Sequence, residues 1–217
     1  MRKATPTAER RAELIRAAFR LEWFSVAWMM VEAVVALASG VTARSISLIA
    51  FGLDSLIELA SACALIWRLN AELRHGRSMG EMAERTASRI GGTLLFGLAA
   101  YLVAAAGWRL WTRLGAEFSW PGLLVSVAAI PIMWLLSRRK LRIAEALGSR
   151  ALRADAVESI TCGWLSFVVL IGLLAQLALG AWWVDSVTSL VIVGLLIREG
   201  REAWTGDDQT GGGREEL

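Results

Sequence analysis

Residues 45–67 read SISLIAFGLDSLIELASACALIW. Apart from Asp54 and Glu58 this stretch carries no charge, and its length is that of a helix crossing a hydrocarbon core, about 20 residues. A carboxylate at membrane depth is costly and normally faces a partner, a cavity or an ion. Asp54 stands near the middle of the run, too far from either end to reach the interface. Asp54 and Glu58 are four apart, which puts both on one helix face. A second run, from about Leu152 to Ala178, opens on Asp155, Glu158 and Cys162. Glu158 and Cys162 are again four apart, and Asp155 lies seven before Cys162. If the two helices run in opposite directions, their donors meet at similar depth. Convergent oxygen and sulfur donors predict an intramembrane cation site. The plainer readings are an Asp54 carboxylate bonded to a neighbouring helix or held protonated, and a Cys162 that only packs.

Outward from these segments, the same apolar block length recurs. Of the 217 residues, 56% are hydrophobic, above the 45–50% usual for soluble domains. Six spans are expected, at about 21–39, 45–67, 90–111, 119–137, 155–178 and 182–203. The fold class is therefore an all-α membrane protein of six transmembrane helices. Residues 1–20 form a charged, helix-favouring arm with Leu14, Ala17, Ala18 and Leu21 on one side. Residues 21–204 form the membrane domain, and 205–217 read as a flexible polar tail. Ala36–Leu–Ala38 resembles a signal-peptide cleavage site. The long acidic region before it and Glu32 within the apolar stretch argue against cleavage.

The formal net charge is +3, but its distribution is more informative. Of 23 Lys and Arg, only Arg44, Arg109 and Arg113 fall on the side reached after an odd-numbered span. The excess of positive charge on cytoplasmic segments places both termini and the 2–3 and 4–5 loops inside. Arg138–Arg139–Lys140 reads in the same way, as an orienting cluster at a helix end and not as a nucleic-acid surface. Eight of the 11 Trp residues (23, 67, 108, 111, 120, 182, 183 and 204) fall near span ends, as interfacial belts do. Pro121 fits the first turn of a helix, Pro131 interrupts the fourth span, and Gly180 marks the last turn.

The remaining polar residues are weighed singly. Glu22, Ser25 and Glu32 share one face of the first span, and Glu32 is placed to line the same cavity or to bond helix 2 or 4. Asp155, near the membrane boundary, suits an outer partner or an entry group. Asp185 opens helix 6, where a carboxylate at a helix N-terminus is favourable in itself. Cys63 is half a turn round from Asp54 and reads as inert, and His75 falls in a loop. The two cysteines form no CxxC pair or disulfide framework. No P-loop, GxGxxG unit, HExxH or GxSxG is present. Nothing points to an enzyme, a prosthetic group or a nucleic-acid partner.

The stretch Ser45 to Glu58, together with Arg153–Ala–Asp–Ala–Val–Glu–Ser–Ile–Thr–Cys162 and Trp183–Val–Asp–Ser–Val–Thr–Ser–Leu–Val–Ile, resembles the transmembrane part of the cation diffusion facilitator family. His75–Gly–Arg before helix 3 is a weaker echo. The resemblance covers roughly residues 20–205. It implies a tetrahedral metal site of two donors from helix 2 and two from helix 5, here Asp54, Glu58, Glu158 and Cys162. It also implies proton-coupled export of a zinc-like divalent ion from the cytoplasm, a homodimer, and a multi-pass location in a cell membrane, expected to be a bacterial inner membrane. The chain departs from the family in three places. Glu58 replaces the usual Asp, Glu158 and Cys162 replace His or Asn and Asp, and residues 205–217, read as a polar tail, are expected to stand where the family carries a cytoplasmic ferredoxin-like domain. Two other functions fit the residues. One is a membrane metal-binding or partner subunit without transport. The other is a proton-coupled carrier of small organic cations, with Asp54 and Glu58 as counter-charges.

Overall fold

The computed structural model describes residues 8–75 and 81–205 and is all-helical over them. The six helices are α1 (Ala8–Thr42), α2 (Ile46–His75), α3 (Glu81–Thr112), α4 (Trp120–Leu147), α5 (Arg150–Leu179) and α6 (Val184–Thr205). The helices outrun the expected spans. The arm is continuous with α1, the basic 4–5 segment is the last part of α4, and His75 ends α2 instead of lying in a loop. Residues 1–7, the middle of the 2–3 connection and the tail beyond Thr205 lie outside the described residues.

Five helices are long and apolar enough to cross a membrane, over Arg10–Thr42, Ile46–Trp67, Arg89–Thr112, Trp120–Leu147 and Leu152–Leu179. The sixth is different. Between Asp185 and Arg198 only residues 186–197 are free of charge, and Glu199, Arg201 and Glu202 follow. Charges at both ends shorten its apolar stretch.

Local chemistry explains the boundaries. Ser119 caps α4 by accepting from the Gly122 N–H, with Pro121 in the first turn, and the helix continues through Pro131. It ends at Gly148, which holds a left-handed φ of 64°, a conformation glycine adopts without penalty. Ser149 then caps α5, and Gly180 (φ 57°) closes it. Between α1 and α2, a Cβ added at Gly40 would stand 2.8 Å from the Ile49 backbone nitrogen. Only glycine lets the two helices approach so closely at their shared turn.

The tightest pairings are α1 with α2, α4 with α5 and α3 with α6. A core of Met29, Leu48, Phe51, Ala129, Met133, Leu165, Val169 and Ile192 joins the pairs. A smaller cluster of Ile15, Ala18, Leu65, Ala144 and Leu152 closes the other end. Most large hydrophobic residues outside the core face outward, Trp108, Trp111, Trp120 and Leu124 among them. That is the surface expected of a bundle in lipid, where no apolar residue needs hiding from water.

The two ends of the bundle can be told apart. At one end, the α1–α2 turn, the end of α3 and the starts of α4 and α6 come together. Glu117 N–H donates to the Ala43 carbonyl at 2.8 Å, and Gln176 Nε2 donates to the Ala116 carbonyl at 3.0 Å. At the other end, the Arg89 guanidinium lies 5.9 Å above the Trp204 ring, joining the start of α3 to the end of α6. The helices therefore alternate in direction, and the first and last lie with their outer ends on one side.

Candidate functional site

Helix periodicity turns Asp54 and Glu58 of α2 into the core, and α5 brings Cys162 opposite them. Each offers one donor atom, and the three atoms lie within 4.8 Å of one another. Asp54 and Cys162 are fully buried and Glu58 is 4% exposed. Neither oxygen of Asp54, and neither of Glu58, has a hydrogen-bond partner among the described residues. This is a rare condition for buried carboxylates, because a neutral polar group stripped of water without replacement hydrogen bonds already costs several kcal/mol (~2–7), and an ionised carboxylate costs far more.

The fourth expected donor stands apart. Glu158 accepts a hydrogen bond from Ser61 Oγ of α2 at 3.1 Å, and Ser61 is one turn beyond Glu58. It lies within electrostatic reach of Asp54 and Glu58 but outside the close group of three. Cys63 is exposed on the outer face of α2, as its angular position predicts.

Glu32 of α1 backs the group. It is fully buried and accepts from Trp28 Nε1 at 2.7 Å, Ser55 Oγ at 2.7 Å and Cys162 Sγ at 3.4 Å. The Ser55 bond fixes it against α2, and the thiol contact reaches α5. Glu32 is thus satisfied by neutral donors and orients the Cys162 sulfur. Partners of this kind set the direction in which a ligand points.

The other two acids are committed elsewhere. Asp155 forms an ion pair with Lys140 Nζ at 2.6 Å, and the same ammonium reaches Glu22 Oε2 of α1 at 3.2 Å. Lys140 is fully buried. The sequence places it with Arg138 and Arg139 in an orienting cluster at a helix end, and the structure adds that its side chain turns into the bundle. Glu22 and Asp155, from helices on either side of α4, draw the ammonium inward. Arg138 instead stacks on the Trp134 ring at 3.7 Å.

Asp185 sits at the opposite end. It accepts from Ser45 Oγ at 2.7 Å, Ser47 Oγ at 2.6 Å, Ile46 N–H at 2.8 Å and Ser47 N–H at 3.3 Å. Arg109 adds an ion pair at 3.3 Å. The carboxylate of α6 therefore caps the first turn of α2, where the orphan N–H groups and the positive end of the helix dipole stand.

One acid escaped the sequence reading. Glu199 of α6 is 8% exposed, and its Oε2 has no hydrogen-bond partner among the described residues. In the sequence it belongs to the charge run Arg198–Glu199–Gly200–Arg201–Glu202, which reads as a solvated helix end. The signal that would have found it is periodicity. Asp185, Ser189, Ile192, Leu196 and Glu199 alternate at intervals of four and three and are all buried, so Glu199 shares the inward face.

Glu32, Asp54, Glu58, Glu158, Glu199 and Cys162 come from four helices, and the donor set suits a cation rather than an anion or an apolar ligand. No curated protein matches the chain. Residues 23–204, most of the chain, match the family model described as the cation efflux transmembrane domain, so the chain belongs to the cation efflux family of membrane metal-ion transporters.

Proposed function

We propose that the chain exports a zinc-like divalent cation from the cytoplasm in exchange for protons, with Asp54, Glu58 and Cys162 as the inner donors and Glu158 one turn away. The observation that carries this reading is the pair of buried, unpartnered carboxylates beside a buried thiol. A divalent cation supplies the counter-charge that the protein withholds. Donors that hold a metal must give up their protons, so metal and protons compete for the same atoms. Alternate opening of the bundle toward either side then moves one in exchange for the other.

The Lys and Arg distribution orients the chain with the Lys140 end at the cytoplasm. Asp155 and Lys140 then lie on the cytoplasmic side of the donors. The outward-facing small residues Ala100, Ala104 and Gly107 of α3 suit a homodimer contact in lipid, where small side chains let helix backbones approach.

Proteoliposomes with an imposed pH gradient test transport directly. Zinc should move against the proton flow, and collapse of the gradient should stop its accumulation. Zinc binding without flux would favour the non-transporting subunit. Thermal stabilisation by an organic cation, without any by zinc, would favour the organic-cation carrier.

Metal preference rests on Cys162. A thiolate favours zinc and softer ions, whereas oxygen donors alone suit manganese or magnesium. Cys162→Ser should lower zinc and cadmium affinity at least as much as loss of an outer-shell partner does elsewhere, about 10–100-fold. Manganese affinity should change little. Equal, small effects on all three metals in a titration would exclude the sulfur as a donor.

A further inference from the structure

The donors lie on a seam between two helix pairs. α1 packs tightly on α2, and α4 on α5. Asp54 and Glu58 belong to the first pair and Cys162 to the second. Near the Lys140 end, two side-chain bonds cross the seam. One is the 3.1 Å bond from Ser61 of α2 to Glu158 of α5. The other is the 3.2 Å contact of Lys140 Nζ, on α4, with Glu22 Oε2 of α1. Beyond them, Ile15, Ala18 and Leu65 of the first pair meet Ala144 and Leu152 of the second. On each helix these residues stand one or two turns nearer the end of the bundle than the polar ones. This apolar layer seals the seam.

The ammonium divides its two bonds unequally. The one to Asp155, within the second pair, is 2.6 Å long, and the one to Glu22, across the seam, is 3.2 Å. Buried charges are a costly way to join helices, since apolar side chains of similar volume hold them as well or better. At a seam they have an advantage. When the pairs part, water replaces the lost partner of each charge, whereas parted apolar surfaces gain nothing from water. An ion pair therefore brings the closed and open seam closer in free energy. The opposite end is built differently. There a Cβ added at Gly122 of α4 would stand 2.8 Å from Leu48 Cδ1 of α2, a close apolar contact between the pairs.

We propose that the Lys140–Glu22 contact is the releasable lock of this seam: the pairs part at the Lys140 end, the ammonium stays with Asp155, and the Asp54–Glu58–Cys162 group opens to that side. The proposal rests on the reading of the chain as a transporter whose bundle opens to either side in turn. It adds the residues that hold one side shut.

Two single variants of the full-length chain, Glu22→Gln and Asp155→Asn, separate a lock from a merely structural triad. Each removes one carboxylate and leaves the ammonium one partner, so the charge balance is the same in both. In Glu22→Gln the remaining partner lies within the second pair, and the seam loses its ionic contact. In Asp155→Asn the remaining partner lies across the seam, and the contact there strengthens. A Cys63→Ser background leaves the buried Cys162 as the one thiol. Its labelling by a membrane-impermeant methanethiosulfonate reports opening, in metal-free sealed vesicles that present the face carrying the Lys140 end. Glu22→Gln should raise the labelling rate about tenfold, the scale of one charge-assisted hydrogen bond. Asp155→Asn should leave it at or below the wild-type rate. A rise in both variants, or none in Glu22→Gln, would overturn the proposal. Added zinc should slow labelling of the Cys63→Ser protein. Labelling indifferent to zinc would instead overturn the reading of Cys162 as a donor, whichever way the two variants behave.

Discussion

Lys140→Ala should lower the stability of the chain by about 3–5 kcal/mol, the usual consequence of removing one partner from a buried ion pair. The total stability of a domain is about 5–15 kcal/mol, so a large share is at stake. In wild type the fully buried ammonium lies 2.6 Å from Asp155 and 3.2 Å from Glu22. Alanine leaves these two carboxylates facing each other with no cation between them, and Glu22 already has one oxygen without a partner. The triad joins α1, α4 and α5, so its loss loosens three helices together. Thermal unfolding in detergent measures the effect. A triple variant, Glu22→Gln with Lys140→Met and Asp155→Asn, removes all three charges and should recover most of the loss, since neutral replacement of whole buried networks is tolerated. An unchanged melting midpoint in Lys140→Ala would show that the triad holds nothing together.

Asp54→Ala should act in opposite directions on fold and function. Its two oxygens are buried without hydrogen-bond partners, so in the absence of metal the carboxylate contributes nothing favourable that is visible in the fold. Removing it relieves repulsion from Glu58, Glu32 and Glu158, and the metal-free protein should melt no lower than wild type. Zinc affinity, by contrast, should fall by more than about 100-fold, because a missing donor costs more than a missing outer-shell partner. Zinc-dependent thermal shift and direct titration check the two halves. The double variant Asp54→Ala with Glu158→Ala sharpens the test: unchanged affinity in it would remove the proposed site altogether.

Much of this arrangement is legible in the chain itself, because lipid simplifies the code. Backbone groups at membrane depth must bond within their own helix, so apolar length alone announces α1 to α5. The acids inside these runs stand out because they are out of place, and their four-residue spacing shows which face they share. What stayed hidden depends on distance in sequence. Lys140 meets Glu22 across 118 residues, and nothing local distinguishes it from Arg138 and Arg139 beside it. Glu199 hides among the charges at the end of α6. The rotation that sets Glu158 against Ser61, apart from the close group, follows from how α5 packs on α2, which no single-helix pattern encodes.

The bonds around Asp185 have a mechanical meaning. Asp185 holds Ile46, Ser45 and Ser47 at one end of α2, while Arg109 anchors it to α3. A helix pinned at one end behaves as a lever. Asp54 lies about 12 Å from that fulcrum and Trp67 about 32 Å, at 1.5 Å per residue. A tilt of about 10° would shift Asp54 by about 2 Å but Trp67 by more than about 5 Å, given those arm lengths. Such a stroke is short at the donors, about 2 Å at Asp54 and about 3 Å at Glu58, and longer at the far end, so the Trp67 end opens furthest.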